Sequence, residues 1–166
     1  PDVGVQAAGG LLTSPPPWPA QERGLAERVA ALGFPPGGDE SYHAHALLTV
    51  FRNGVQVPVP DDIGFDARGA HTSLHTHTPD GVLHMEADDP YPYELSHVFT
   101  TWGVAFDDDR LGGDVASGDE RVHVYVNGEP APDGPVVLED GDNVVVAYGR
   151  EGSFPTEPPT GALDGT

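Results

Sequence analysis

The stretch "HALLTVFRNGVQVPVP" (His45–Pro60) carries the pattern that decides the fold. Two β-rich runs flank Asn53-Gly54, a dipeptide that supplies the two positive-φ positions of a tight hairpin. The device recurs in "RVHVYVNGEPAP" (Arg121–Pro132) at Asn127-Gly128. "GPVVLEDGDNVVVAYG" (Gly134–Gly149) supplies one or two more strands around Asp140-Gly141. Between the hairpins, "YELSHVFTTWG" (Tyr93–Gly103) sets Leu95, Val98, Phe99 and Trp102 on one helical face, and Gly103 can close the helix. The order hairpin, short helix, hairpin predicts a mainly β, α+β fold with a β-grasp-like sheet.

Outward from this centre, "AQERGLAERVAALG" (Ala20–Gly33) places Leu25, Val29 and Leu32 at helical spacing, with Gly33 as a C-cap. It predicts an N-terminal helix. Residues 1–19 read as a proline-rich arm, because "TSPPPWP" can be neither helix nor inner strand. Residues 151–166, "EGSFPTEPPTGALDGT", read as a matching tail, leaving 20–150 as one β-rich domain. Arms of this composition seldom order alone. They predict docking on neighbouring subunits of a homo-oligomer, with Pro15–Pro17, Trp18 and Phe154 as contacts.

The chain of 166 residues has a formal net charge of −20, no lysine and no cysteine. Such a surface repels nucleic acid and anionic membranes, since nothing basic could displace counterions from phosphates. It attracts cations and stays soluble at high salt, as in a halophilic protein. No apolar run approaches the ~20 residues of a membrane span. Disulfides and thiolate metal sites are excluded. The opening "PDVGV", without methionine, is read as that of a processed chain.

Eight histidines stand out against this background, three of them in "LHTHTPDGVLHME" (Leu74–Glu86) and two in "HAH" (His43–His45). Strand alternation assigns their faces. A four-residue loop, Thr78 to Gly81, pairs His77 with Val82 and His75 with His84. Only this register keeps Leu74, Leu83 and Met85 on one buried face, since a one-residue slip would divide them. It brings His75, His77, His84 and Glu86 together on the other face. Cross-strand partners at Cβ separations of about 4.5–5.5 Å let imidazoles converge on one ion. Three or four imidazoles without thiolate suit copper(II), zinc or nickel, and copper(II) binds tightest at equal availability. His43 and His45, a second same-face pair, complete this site or form another. His71, His97 and His123 read as structural or solvent-facing, with His71 able to approach the cluster.

Enzyme motifs fit less well. "LHTHTPDG" is similar to the start of metal-dependent phosphoesterases built on an α/β barrel, but only about ninety residues follow it, far short of a barrel of roughly 200 or more. Neither H-x-H pair has the glutamate spacing of a cupin. No nucleophile elbow occurs. "DDDRLGGDVASGDE" departs from the calcium-loop spacing and reads as a solvated loop.

Several segments together resemble a little-characterised family of secreted or membrane-anchored bacterial proteins, frequent in actinobacteria. They are "HAHALLTVFRNG", "LHTHTPDGVLHME", "TWGVAF" and "VHVYVNG", spanning roughly residues 18–149. The resemblance implies an extracytoplasmic domain and shared positions at His43, His45, His75, His77, His84 and Glu86. Thr78 stands where the family has aspartate, and "FDDDRLGGD" lacks the family's cysteine pair.

The combined expectation is extracytoplasmic binding of copper or zinc by His43, His45, His75, His77, His84 and Glu86, in a role of metal capture, delivery or sensing. Glu86 would be a ligand or a hydrogen-bond acceptor that fixes an imidazole tautomer. The rival expectations are an assembly module whose arms dock on neighbouring chains and a small metal-dependent hydrolase.

Overall fold

The computed structural model describes residues 10–36 and 41–163. Its centre is a parallel pair of long strands, β1 (Tyr42–Arg52) and β10 (Asn143–Gly149), from opposite ends of the chain. On one side β10 pairs antiparallel with β8 (Arg121–Val126), which turns at Asn127-Gly128 into the short β9 (Glu129–Pro130). On the other, β1 pairs first with β4 (Val82–Ala87) and then with β2 (Val55–Val57). The edge strand β3 (Leu74–His75) adds to β4. The main sheet thus runs β3-β4-β1-β10-β8-β9, with β2 beside the second half of β1. Helix α2 (Leu95–Trp102) lies against one face. The fold is α+β and mainly β, and the parallel first and last long strands with a helix across them fit the β-grasp-like expectation.

The local signals act as read. Asn53 and Gly54 have φ of 48° and 79°, Asn127 and Gly128 of 53° and 82°, as a two-residue hairpin with the right-handed twist of its strands requires. Gly103 closes α2 at φ 85°. Leu95, Val98, Phe99 and Trp102 are buried against Ala44, Ala46, Leu48 and Val50 of β1 and Leu83 and Met85 of β4. The alternate residues of the sheet point the other way, and there Phe51, Tyr125, Val145, Ala147 and Phe154 make a second, smaller core.

Four expectations need correction. The N-terminal helix α1 is only Leu25–Ala30, because Gly24 enters it at φ 75° and Gly33 follows it at φ 70°. Its buried face includes Arg28, whose guanidinium donates to the carbonyls of Thr100 (2.9 Å) and Thr101 (3.2 Å) at the end of α2, and to those of Arg23 (2.8 Å) and Gln21. A cation there complements the carbonyl end of α2 and its helix dipole.

Second, the histidine segment 74–86, which falls between the first hairpin and α2 in the chain and reads as an insertion there, is an integral part of the main sheet. Its strand β4 holds the whole first half of β1, from Tyr42↔Ala87 to Leu47↔Val82. The exchange to β2 occurs at Gly81, whose carbonyl accepts the Leu48 N–H at 2.9 Å. A Cβ on Gly81 would lie 2.3 Å from the Leu48 carbonyl oxygen.

Third, "FDDDRLGGDV" is a three-stranded sheet of its own, β5 (Phe106–Asp107), β6 (Arg110–Leu111) and β7 (Asp114–Val115). Leu111 reaches the main core, and Asp114 accepts two hydrogen bonds from Arg52 at 2.7 and 2.8 Å.

Fourth, the aromatics of the arms pack within their own chain. Trp18 is buried edge-on against Trp102, with ring centroids 5.8 Å apart, and its Nε1 donates to Ser14 O at 2.8 Å. Leu12 bridges to Val104, and Phe154 stacks on Phe51. Residues 1–9 and 164–166 of the arms lie outside the described residues.

Candidate metal centre

The candidate site occupies the face of the sheet opposite α2, at the β3 edge. Period-two alternation on β1 turns His43 and His45 outward while Ala44 and Ala46 fill the core. Across the ladder, His45 faces His84 and His43 faces Glu86. On the far side of β4, His75 faces His84, the register that burial of Leu74, Leu83 and Met85 demands. The ladder stops there, short of the expected His77–Val82 pair, yet the His77 ring still lies 4.6 Å from that of His84, centroid to centroid.

Two groups of donor atoms result. In each, the atoms lie within 4.8 Å of one another: His43, His45, His84 and Glu86 in one, His75, His77, His84 and Glu86 in the other. The first is a closed ring. His43 Nε2 is 3.1 Å from His45 Nε2, which is 3.1 Å from His84 Nδ1. His84 Nδ1 is 3.0 Å from Glu86 Oε1, and Glu86 Oε1 is 2.9 Å from His43 Nε2. Four donors about 2.0–2.1 Å from a shared ion would be roughly 3.3 Å apart if tetrahedral and roughly 2.9 Å apart along the edges if square. The observed edges match a small transition-metal ion.

Hydrogen bonding alone cannot satisfy this ring. An imidazole nitrogen has one in-plane position, occupied by a proton or by a lone pair. If His43 and His84 both donate to Glu86, neither has a lone pair for His45. If His45 donates to one of them, the other contact with His45 has no proton of its own. Every assignment leaves at most two of the four contacts as hydrogen bonds. A cation at the centre would engage all four lone pairs together.

In the second group, His75 Nε2 is 3.0 Å from His77 Nε2 and 3.7 Å from Glu86 Oε2. His75 Nδ1 lies 2.9 Å from the Thr72 carbonyl, which can only accept, so the His75 proton sits on Nδ1 and Nε2 carries the lone pair. Phe65 stands edge-on to His75 and His77 at 5.7 Å from each.

Burial favours the neutral form of His45, His75 and His84. Desolvation, with smaller repulsion from the imidazoles of His71, His77 and His84 and against the pull of Glu86, pushes His75 down to about 3. Desolvation likewise lowers His45 and His84. Burial alone would raise the Glu86 carboxyl, but the hydrogen bond with His84 and the surrounding imidazoles outweigh it and hold the group below its ordinary range. Neutral imidazoles and an ionised carboxylate are the forms that bind metal.

The sequence-predicted ligands His43, His45, His75, His77, His84 and Glu86 therefore all meet on one face. His75 differs from expectation in being only 1% exposed, so it is a packing residue as well as a donor. The His71 ring lies tilted against that of His75, centroids 4.1 Å apart, but belongs to neither group. His97 and His123 serve the backbone instead, with His97 Nδ1 accepting the Glu94 N–H at 3.1 Å and His123 Nε2 lying 3.1 Å from Gly149 O. Sequence reasoning missed Asp140, whose Oδ1 accepts the His45 N–H at 2.9 Å, and Thr72; neither position carries a signal, since only the fold brings them there. His43, His45, Asp140, Gly141 and Leu163 line a solvent-open cleft of about 380 Å³ leading to the first group.

No known family model, no curated protein and no solved structure significantly matches the chain.

Proposed function

We propose that this chain is an extracytoplasmic transition-metal-binding protein that takes copper(II) or zinc through its histidine cluster, in metal capture, delivery or sensing. The closed ring of His43, His45, His84 and Glu86, which hydrogen bonds cannot satisfy, carries the reading. The absence of thiols favours borderline ions over copper(I). The net charge of −20 concentrates cations near the cleft, and the resemblance to secreted bacterial proteins supports a place outside the cytoplasm. No helix among the described residues is long and apolar enough to cross a membrane.

Titration of metal-free, tag-free protein with zinc and copper(II) in a calorimeter tests the proposal. Wild type should bind at least ~100-fold more tightly than a His45→Ala, His84→Ala double variant, as expected when direct ligands are removed. Equal affinities would overturn it. Fractionation of the producing cells tests the location, and a purely cytoplasmic chain would contradict that part.

A further inference from the structure

We infer that the two donor groups form one two-metal centre in which the Glu86 carboxylate bridges the ions. This inference rests on the metal-binding reading and extends it from one ion to two. The groups share His84 and Glu86, so one ion moving between two positions is the competing arrangement. The two oxygens of Glu86 distinguish them. Oε1 completes the first ring, 2.9 Å from His43 and 3.0 Å from His84. Oε2 is turned to the other side, 3.7 Å from His75 Nε2.

The second position also presents a lone pair to a cation. The Thr72 carbonyl holds the His75 proton on Nδ1, so a lone pair at Nε2 faces a carboxylate oxygen with no proton between them. His77 Nε2 approaches the same nitrogen at 3.0 Å. An ion held there by His75, His77 and Glu86 Oε2 would replace the single His77–His75 hydrogen bond with coordination by all three residues. A carboxylate that offers one oxygen to each of two ions sets them about 3.5–4 Å apart, the usual spacing of two-metal sites. The first ion then has four protein donors. With His84 committed to the first, the second has His75, His77 and Glu86 Oε2, and beside the exposed His77 it keeps a position open to water or a small anion.

Metal-free full chain is titrated with zinc and, separately, copper(II), and the ions bound are counted by native mass spectrometry. Wild type should hold two ions, and His77→Ala and His43→Ala should each hold one. Both side chains are exposed, so the melting temperatures of the metal-free variants should match wild type. With copper(II), the electron paramagnetic resonance spectrum of an isolated ion should give way to a spin-coupled spectrum in wild type at two equivalents, and persist in both variants. Wild type saturating at one ion would overturn the two-metal centre while leaving metal binding intact. Two ions with additive, uncoupled spectra would overturn the bridge. No bound ion at all would overturn the underlying metal-binding reading.

Discussion

The face of the main sheet turned away from α2 is divided between two kinds of packing. At the β10–β8 end it is an apolar cluster, with Phe51, Tyr125, Val145 and Ala147 covered by Phe154 from the C-terminal segment. At the β4–β3 end the same face presents His43, His45, His75, His84 and Glu86. One strand, β1, runs through both halves, and its outward residues change from His43 and His45 to Leu47, Thr49 and Phe51. The apolar half is stable by burial alone. The histidine half gathers donor atoms at separations that hydrogen bonds satisfy only in part. The same backbone geometry thus supports an apolar core in one half and, in the other, a group of donor atoms close enough to hold a metal ion.

The contrast can be broken first on the apolar side. Phe51→Ala should destabilise the metal-free protein by about 3–5 kcal/mol, the cost of lost burial and a residual cavity, and leave metal stoichiometry unchanged. Urea unfolding with parallel metal counting checks both halves of that statement. The next effect belongs to the other side. At 100 times the dissociation constant of the first group, metal should add about 2.7 kcal/mol of stability to wild type through that group, by linkage, and none of this to the His45→Ala, His84→Ala variant. Melting curves in zinc and in chelator measure it.

Acid should separate the halves further. His45, His75 and His84 are neutral in the fold with lowered pKa, so the unfolded chain binds more protons and stability falls as pH falls. The loss begins near the reference pKa of about 6.5 and continues toward about 3, where His75 itself titrates. The lowered Glu86 carboxyl adds to the loss in the acidic part of this range. Metal binding should also persist to lower pH than the ordinary imidazole value suggests. Chemical unfolding of metal-free protein at several pH values tests this, and replacing His45 and His84 by alanine should flatten the slope. The smallest effect is expected of Asp140→Ala, which removes the acceptor of the His45 N–H at an exposed position and should cost about 1 kcal/mol or less. A larger loss would mean that Asp140 holds β1 in register.

The two regions were also unequally legible in the sequence. Asn-Gly turns, the apolar face of α2 and the His75–His84 register are local or follow from one-face burial, and they could be read directly. The union of His43 and His45 with His84 depends on the β1–β4 ladder, a pairing across some forty residues that no local pattern encodes. That is why the sequence left open whether one site or two exist. Arg28 in the buried stripe of α1, and Trp18 in the core, escaped for the same reason, since their partners Thr100 and Trp102 lie more than seventy residues away. Burial of His75 does not follow from strand alternation, because an edge strand as short as β3 gains its cover from the preceding loop, through Phe65 and Thr72.

The exchange of partners along β1 at Gly81 has one more consequence, for amide hydrogen exchange. A strand with one partner along its whole length opens as a unit. Here the part from Tyr42 to Leu47 is zipped to β4, and the part from Val50 to Arg52 to β2. Local opening of the histidine strand can therefore stop at Leu48 without fraying the hairpin beyond it. Ligand binding should lengthen the exchange lifetimes on one side of Gly81 and leave those on the other side nearly unchanged. β1 would then report, within a single strand, both the stability of the scaffold and the occupancy of the cage.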